Sequence, residues 1–140
     1  MRTLITLLAL SSPAAAWEYS PSPVCTVAHE SEIGAIELTY DAAQPEPYAI
    51  AVTRPEGWST ETIFGLQFEG PYPQTITTNR QVIDGSTLTV RDQGFGNVLN
   101  GLQFNETVSA FLGGAILDFS LEAAAPEIER FRDCLVTPIA

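Results

Sequence analysis

Four short stretches of the chain alternate apolar residues with polar or small ones. They are residues 35–40, 48–53, 64–69 and 87–91, and every second residue in each is large and apolar. Side chains of a strand point alternately to its two faces, so this period of two is typical of strands with one buried face. Turn-forming residues separate the stretches, and Asp84-Gly85 predicts a hairpin before the last one. The pattern predicts a mainly β fold, an antiparallel β-sandwich or barrel of six to eight strands.

The segment that follows residue 97 is less regular. Residues 98–104 fit a strand or a helix equally well. Asn105 is a suitable cap for a short helix over residues 106–112, which Gly113-Gly114 would end. We therefore expect a short helix at this point of the chain.

The chain ends with a second change of pattern. Residues 117–121 alternate again and predict one more strand. After Pro126, the apolar residues Ile128, Phe131 and Leu135 recur at helical spacing. We expect a C-terminal helix that closes the β fold.

The first sixteen residues have the features of a secretory signal peptide. Arg2 gives a positive start, an apolar run extends to Leu10, and three alanines end at Ala16. The run is far shorter than the roughly 20 residues needed to span a bilayer. We expect cleavage after Ala16, a single mature β-rich domain of residues 17–140, and a periplasmic or secreted location. No membrane anchor is expected after cleavage, because no cysteine stands at the cleavage point and no later segment is long enough to span a membrane.

The mature chain is strongly acidic. The protein has 6 basic and 17 acidic residues, so removal of Arg2 leaves five basic residues and a formal charge of −12. Nucleic-acid binding relies on clustered lysine and arginine, and anionic membrane surfaces attract the same residues, so both kinds of partner are disfavoured. Two alternatives remain for the acidic surface: solubility in the envelope, or a cationic partner.

Two cysteines, Cys25 and Cys134, lie near the two ends of the mature chain. An even number of cysteines in an exported protein predicts a disulfide. The bond would close a loop of 108 intervening residues, which stabilises a fold by roughly 4–5 kcal/mol in the chain-entropy model. Redox, haem-attachment and zinc-binding cysteine motifs are not present in the sequence, so both cysteines are interpreted as structural.

Several segments carry a resemblance to known proteins: residues 17–19, Tyr40-Asp41, residues 52–55 with Trp58, residues 94–99, and the ending Phe131-Arg132-Asp133-Cys134. In these segments the mature chain resembles a family of small uncharacterised exported proteins of alphaproteobacteria. The resemblance covers nearly the whole mature chain and implies no activity. Some such proteins carry an excinuclease-subunit label, which this sequence contradicts because it has no phosphate-binding loop and no lysine.

A second resemblance concerns the C-terminal part alone. Phe111-Leu112-Gly113-Gly114, the strand through Phe119-Ser120-Leu121 and the closing helix are similar to the end of invasion-associated locus B-type envelope proteins. The resemblance implies a periplasmic β-sandwich finished by a helix.

Catalytic chemistry would have to use His29, the single histidine. With Glu30 and Glu32 it could form a metal site, although in a strand Glu30 points away from the other two. A serine triad needs the same histidine, and no serine lies in a Gly-x-Ser-x-Gly motif. We predict a non-catalytic protein without a cofactor, because a tuned acid, base or nucleophile is not recognisable. The alternatives are a metal-dependent enzyme centred on His29 and an inhibitor of a cationic hydrolase such as lysozyme.

Binding is therefore the predicted role, with an envelope or extracellular protein as the partner. Aromatic residues in proline- and glycine-rich loops, here Trp58 and Tyr72, are common binding anchors, and they are also common lids over the ends of a small sandwich. Gly94 and Gly96 predict a turn with unusual φ angles that lets a ligand approach the backbone. The predicted binding patch consists of Arg54, Trp58, Tyr72, Arg91, Phe95 and Asn97.

Overall fold

The computed structural model describes residues 16–136, so the predicted signal peptide, except for Ala16, lies outside the described residues. The described residues form ten strands and two helices: β1 (Glu18–Ser20), β2 (Cys25–Ser31), β3 (Gly34–Tyr40), β4 (Tyr48–Thr53), β5 (Phe64–Glu69), β6 (Gln74–Thr78), β7 (Val82–Asp84), β8 (Thr87–Asp92), α1 (Gly96–Phe104), β9 (Thr107–Leu112), β10 (Ala115–Ser120) and α2 (Ala124–Val136). One sheet has the order β1-β2-β3-β4-β8-β7 and the other the order β10-β9-β5-β6. All their pairings are antiparallel.

The core lies between the two sheets, and the period of two decides which residues enter it. Ile36 and Leu38 of β3 are buried, as are Phe64, Leu66 and Phe68 of β5, while the residues between Phe64, Leu66 and Phe68 belong to the outer face. The predicted mainly β sandwich with a C-terminal helix is confirmed. The strands outnumber the predicted six to eight because β1 and β7 have three residues each, too few to reveal a period.

The predicted short helix over residues 106–112 is wrong, because Thr107–Leu112 is strand β9. Val108, Ala110 and Leu112 face the core in strand register with β5. Gly113 and Gly114 join β9 to β10 as a tight hairpin, in which Gly113 has a φ of 58° that a side chain would disfavour. The helix in this region is the preceding one, α1, which Asn105 ends rather than begins.

Helix α1 closes the end of the sandwich at which β4 begins and β5 ends, called here the helical end. Its buried residues include Leu99 and Leu102, and Gly101 is so close to the Phe68 ring that a Cβ there would lie 2.5 Å from a ring carbon. Helix α2 packs against α1, β1 and β2 through the buried residues Ile128 and Phe131.

The predicted disulfide is confirmed: Cys25 in β2 is bonded to Cys134 in α2, with their Cα atoms 6.1 Å apart. The segment before β2 is held as well, because the Trp17 indole donates a hydrogen bond of 2.8 Å to the Ser120 carbonyl of β10. A disulfide of this kind is compatible with an oxidising compartment. Within residues 16–136 no helix is both long and apolar enough to cross a membrane.

Candidate functional site

The six residues of the predicted binding patch do not lie on one surface. Trp58 packs edge-on against Phe64, the first residue of β5, whereas Tyr72 comes after the last residue of that strand. A strand of six residues spans roughly 17–20 Å, so Trp58 and Tyr72 lie at opposite ends of the sandwich. The two arginines are also apart, because Arg54 follows the end of β4 that pairs with Thr87, while Arg91 pairs with Ala49 near the other end.

Trp58 and Arg54 belong to the fold at the end opposite the helices. The half-buried Trp58 ring packs against the core, and its indole donates a hydrogen bond of 3.1 Å to the Val52 carbonyl. The Arg54 guanidinium donates to the Gly57 carbonyl at 2.6 Å and lies 3.8 Å from Glu56, so it is directed into its own loop. Trp58 is therefore placed as a lid over the core, the alternative to the anchor role.

Phe95 is buried and packs against Tyr48 with ring centroids 5.4 Å apart. The expectation of unusual backbone angles beside it is wrong, since neither Gly94 nor Gly96 has a positive φ. Both glycines nonetheless have open space where a Cβ would project. Phe95 contributes to the core, while Asn97 is exposed at the start of α1.

Two large aromatic side chains are exposed side by side at the helical end. Tyr72 is 66% exposed and Phe104 is 46% exposed. Their ring centroids are 6.0 Å apart and their planes meet at 70°. The rings border an open surface cavity of about 580 Å³, called here the Tyr72 site, lined by Pro71, Tyr72, Pro73, Gln74, Asn97, Asn100 and Phe104. Each of these lining residues is uncharged.

Asn105 fixes the Tyr72 loop to the end of α1. This side chain is only 8% exposed, and its Oδ1 accepts a hydrogen bond of 2.9 Å from the Tyr72 backbone N–H. Its Nδ2 donates to the Gly101 carbonyl at 3.1 Å. Gly70, with a φ of 149°, lets the chain pass so close to Asn105 that a Cβ would lie 2.9 Å from its Cα. The aromatic pair is therefore held in a preformed arrangement.

Two amide side chains of the Tyr72 site have defined orientations. Arg132 of α2 donates from Nη2 to Asn100 Oδ1 at 2.8 Å, and Gln74 donates from Nε2 to the Asn97 carbonyl at 3.1 Å. A guanidinium can only donate and a carbonyl can only accept, so both assignments are fixed by chemistry. Among the described residues, this leaves Asn100 Nδ2 as a donor and Gln74 Oε1 as an acceptor for a ligand.

A second cavity, the inter-sheet groove, lies between β6 and β8. It has a volume of about 500 Å³ and reaches the buried side chains of Leu66 and Val90. Arg80 lies at this groove and pairs with Glu46 and, at 3.7 Å, with Asp92. The hydrogen bond that Arg80 donates to the Glu46 carboxylate raises the pKa of Arg80 above its ordinary value. The groove is thus an opening into the core that is bordered by an ion-pair network.

His29 is on the core side of β2 and packs against two aromatic rings. It stacks on Trp17 with centroids 5.1 Å apart and meets Phe119 edge-on at 6.0 Å. Glu30 is exposed on the strand, and Glu32 lies in the turn between β2 and β3 rather than on the face of His29. Within residues 16–136 there is no group of three or more histidine, cysteine, aspartate or glutamate side chains that could hold a metal ion.

The described chain is thus a disulfide-closed antiparallel β-sandwich with an uncharged aromatic site at its helical end. Comparison with protein-family models, with curated proteins and with solved structures found no match. Tyr72 and Asn97 are the two lining residues that also belong to the binding patch predicted from the sequence. Gln74, Asn100 and Phe104 were not, although the spacing of Asn97 and Asn100 would place both on one face of a helix.

Proposed function

We propose that this chain is an exported, non-catalytic binding protein of the periplasm or extracellular space, and that the Tyr72 site binds its partner. The observation that carries the proposal is the pair of exposed aromatic rings held by the buried Asn105. Large exposed apolar side chains that cluster, rather than scatter singly, mark sites of interaction. Tyrosine also offers a large contact area with little loss of side-chain entropy.

Support for export comes from two independent features. Residues 1–16 have the charged, apolar and small-residue order of a signal peptide. The Cys25–Cys134 disulfide is of a kind that persists outside the reducing cytosol. The acidic composition and the resemblance to small exported proteins agree with this location.

The rigidity of the Tyr72 site favours binding. Ordering of a loop on association costs free energy, so a loop that is ordered beforehand binds more tightly for the same contacts. Pro71 and Pro73 restrict the backbone on both sides of Tyr72, and Asn105 fixes the amide between them. A surface that had no role in binding would gain little from holding an exposed ring in this way.

Site-specific photo-crosslinking tests the proposal in the producing cell. A benzoylphenylalanine at position 72 should give a discrete adduct with a partner in the envelope fraction. The matched control carries the same group at position 82, because Val82 is 68% exposed in β7, at the edge of the six-stranded sheet, and does not line the Tyr72 site. Absence of an adduct at position 72, or the same adduct at both positions, would contradict the proposal.

A second candidate function, inhibition of a cationic hydrolase such as lysozyme, is favoured by the outer face of the six-stranded sheet. Glu18 and Glu37 both pair with Ala28, so they stand in one row across three strands. With Glu30 they border a shallow depression of about 460 Å³ whose other residues are mostly small. Such a face is complementary to a cationic partner.

Lysozyme activity measured with and without the mature protein tests this candidate. Inhibition should weaken with added salt, because exposed charges are screened. It should also weaken in the Glu18→Gln/Glu37→Gln double variant. An uninhibited lysozyme at micromolar excess of the protein would eliminate the candidate.

A further inference from the structure

On the basis of the proposed binding function, we infer that the Tyr72 site binds an uncharged oligosaccharide. The inference goes beyond a generic partner because the lining residues define the chemistry of the ligand in three respects: charge, apolar surface and hydrogen-bonding groups.

Charge is the first respect. The mature chain carries a formal charge of −12, yet the seven residues that line the Tyr72 site are uncharged. An anionic ligand would find no cation among the lining residues and would meet the negative field of the protein, while the neighbouring Arg132 guanidinium already donates to Asn100 and Gln103. A cationic ligand would find no carboxylate among the lining residues to replace its water shell. A neutral ligand needs no opposite charge in the lining and has no ionic water shell to give up.

Apolar surface is the second respect. The face of an aromatic ring carries partial negative charge and its edge partial positive charge. The C–H groups on one face of a pyranose ring are apolar and slightly positive, so they stack well on such a face. Tyr72 and Phe104 meet at 70°, so one sugar ring can lie against one aromatic face while it contacts the other ring.

Hydrogen bonding is the third respect, and it distinguishes a sugar from a proline-rich peptide. Arg132 holds Asn100 with its Nδ2 as donor, and the Asn97 carbonyl holds Gln74 with its Oε1 as acceptor. Each hydroxyl of a sugar is both a donor and an acceptor, so neighbouring hydroxyls can satisfy both groups. Proline-rich segments also bind aromatic grooves, but a proline has no N–H for the Gln74 oxygen.

The size of the cavity is consistent with one or two sugar units. Its volume of about 580 Å³ is within the range of roughly 300–1,000 Å³ usual for small-ligand sites. Because the cavity is open at the surface, a longer chain can extend beyond it. The structure therefore favours recognition of a segment within an oligosaccharide.

An array of neutral oligosaccharides, followed by titration with the strongest binder, tests the inference on the intact mature protein. The titration is followed by calorimetry and by backbone amide chemical shifts. Binding should shift the amides of Tyr72, Gln74 and Asn100. Tyr72→Ala should weaken affinity by at least about tenfold, as is usual for a central aromatic anchor, whereas the surface control Val82→Ala should leave it unchanged.

Asn100→Ala and Arg132→Met separate hydrogen bonding from stacking. Both should weaken affinity, and the Arg132 variant should do so through the freed rotation of the Asn100 amide, visible as a change in its side-chain NH₂ signals. Thermal denaturation of each variant checks that it is folded. Unchanged affinity in both variants would overturn the assigned hydrogen-bonding roles and with them the inference.

Two further probes separate this inference from the proposed function. An acidic oligouronate should not bind, and a proline-rich peptide should not shift the Tyr72 amide. If no neutral oligosaccharide on the array binds, or if the peptide binds in its place, the inference is wrong. In that case a positive crosslink at position 72 would still support the proposed binding function. If no oligosaccharide binds and no crosslink forms at position 72, the inference and the proposed function are both refuted.

Discussion

Replacement of Asn105 by alanine should loosen the Tyr72 loop while the sandwich remains folded. In the native protein the Asn105 side chain is buried, accepts a hydrogen bond from the Tyr72 N–H and donates one to the Gly101 carbonyl. Alanine removes both bonds. The backbone bond from Glu106 N–H to the Glu69 carbonyl, at 2.8 Å, is unaffected, so β5 and β9 stay paired.

The size of the effect follows from these two bonds. An intramolecular hydrogen bond contributes about 0.5–1.5 kcal/mol net, and a buried group left without a partner costs more than an exposed one. Tyr72 is exposed, so water can replace the lost partner of its N–H. Gly101 is buried, which raises the cost at its carbonyl. We expect Asn105→Ala to lower the free energy of unfolding by about 2 kcal/mol.

Urea unfolding measures this change, and hydrogen exchange of the Tyr72 amide reports on the loop itself. In the native protein the Tyr72 amide should exchange more slowly than the amide of an unprotected loop residue. In the Asn105→Ala variant the same amide should exchange faster than it does in the native protein. The matched control is Asn105→Asp, which keeps an acceptor for the Tyr72 N–H and loses the donor to Gly101. It should lower stability but leave the Tyr72 amide protected. If Asn105→Ala changes neither stability nor exchange, Asn105 does not hold the loop.

Three other variants test the packing, the covalent bond and the pH dependence. Trp58→Ala should lower the free energy of unfolding by about 2–3 kcal/mol in a urea titration, because the ring covers the core; a neutral effect would restore the anchor role. The Cys25→Ser/Cys134→Ser variant should lose about 2–5 kcal/mol and keep its circular dichroism spectrum; a lost β signal would contradict this. Burial, followed by the neighbouring Tyr40, raises the pKa of the Tyr48 phenol above its ordinary value. The unfolded chain therefore ionises first at this position, and stability falls as the pH rises above about 10. Tyr48→Phe should reduce that fall in urea titrations from pH 8 to 11, and an identical pH profile would refute the assignment.

The strands were predictable where their inward residues are large and their outward residues are not. This holds for β3, β4, β5 and β8, the four stretches with the clear period of two. It fails for β9, because Phe111 on its outer face hides the alternation of Val108, Ala110 and Leu112. That outward ring lies over Gly65 of the neighbouring strand, where a Cβ would be 2.2 Å from it. The space for the large outward ring of β9 is provided by a glycine in β5, so the residue pattern of β9 alone cannot reveal it.

Two residues of the Tyr72 site, Tyr72 and Asn97, were predictable by residue type, but the residues that join them at the site were not. Sequence alone suggested that Trp58 and Tyr72 are loop aromatics, and the intervening strand β5 then sends them to opposite ends. Phe104 joins Tyr72 because α1 closes the end at which β5 stops, a consequence of tertiary packing. The contact between the Tyr72 and Phe104 rings could be found only from the tertiary structure.

The disulfide and the Tyr72 site are connected through α2, which gives the covalent bond a consequence for binding as well as for stability. Cys134 lies two residues after Arg132, the residue that orients the Asn100 amide. The bond attaches this part of α2 to β2, and the guanidinium also donates from Nε to Gln103 at 2.8 Å. With the bond absent, the last turns of α2 lose their covalent attachment to β2, and local opening there becomes easier. Oxidised protein should therefore bind its ligand more tightly than the Cys25→Ser/Cys134→Ser variant, although neither cysteine lines the site. Equal affinity of the two forms, with both folded, would mean that Arg132 stays in place without the bond and that the disulfide serves stability alone.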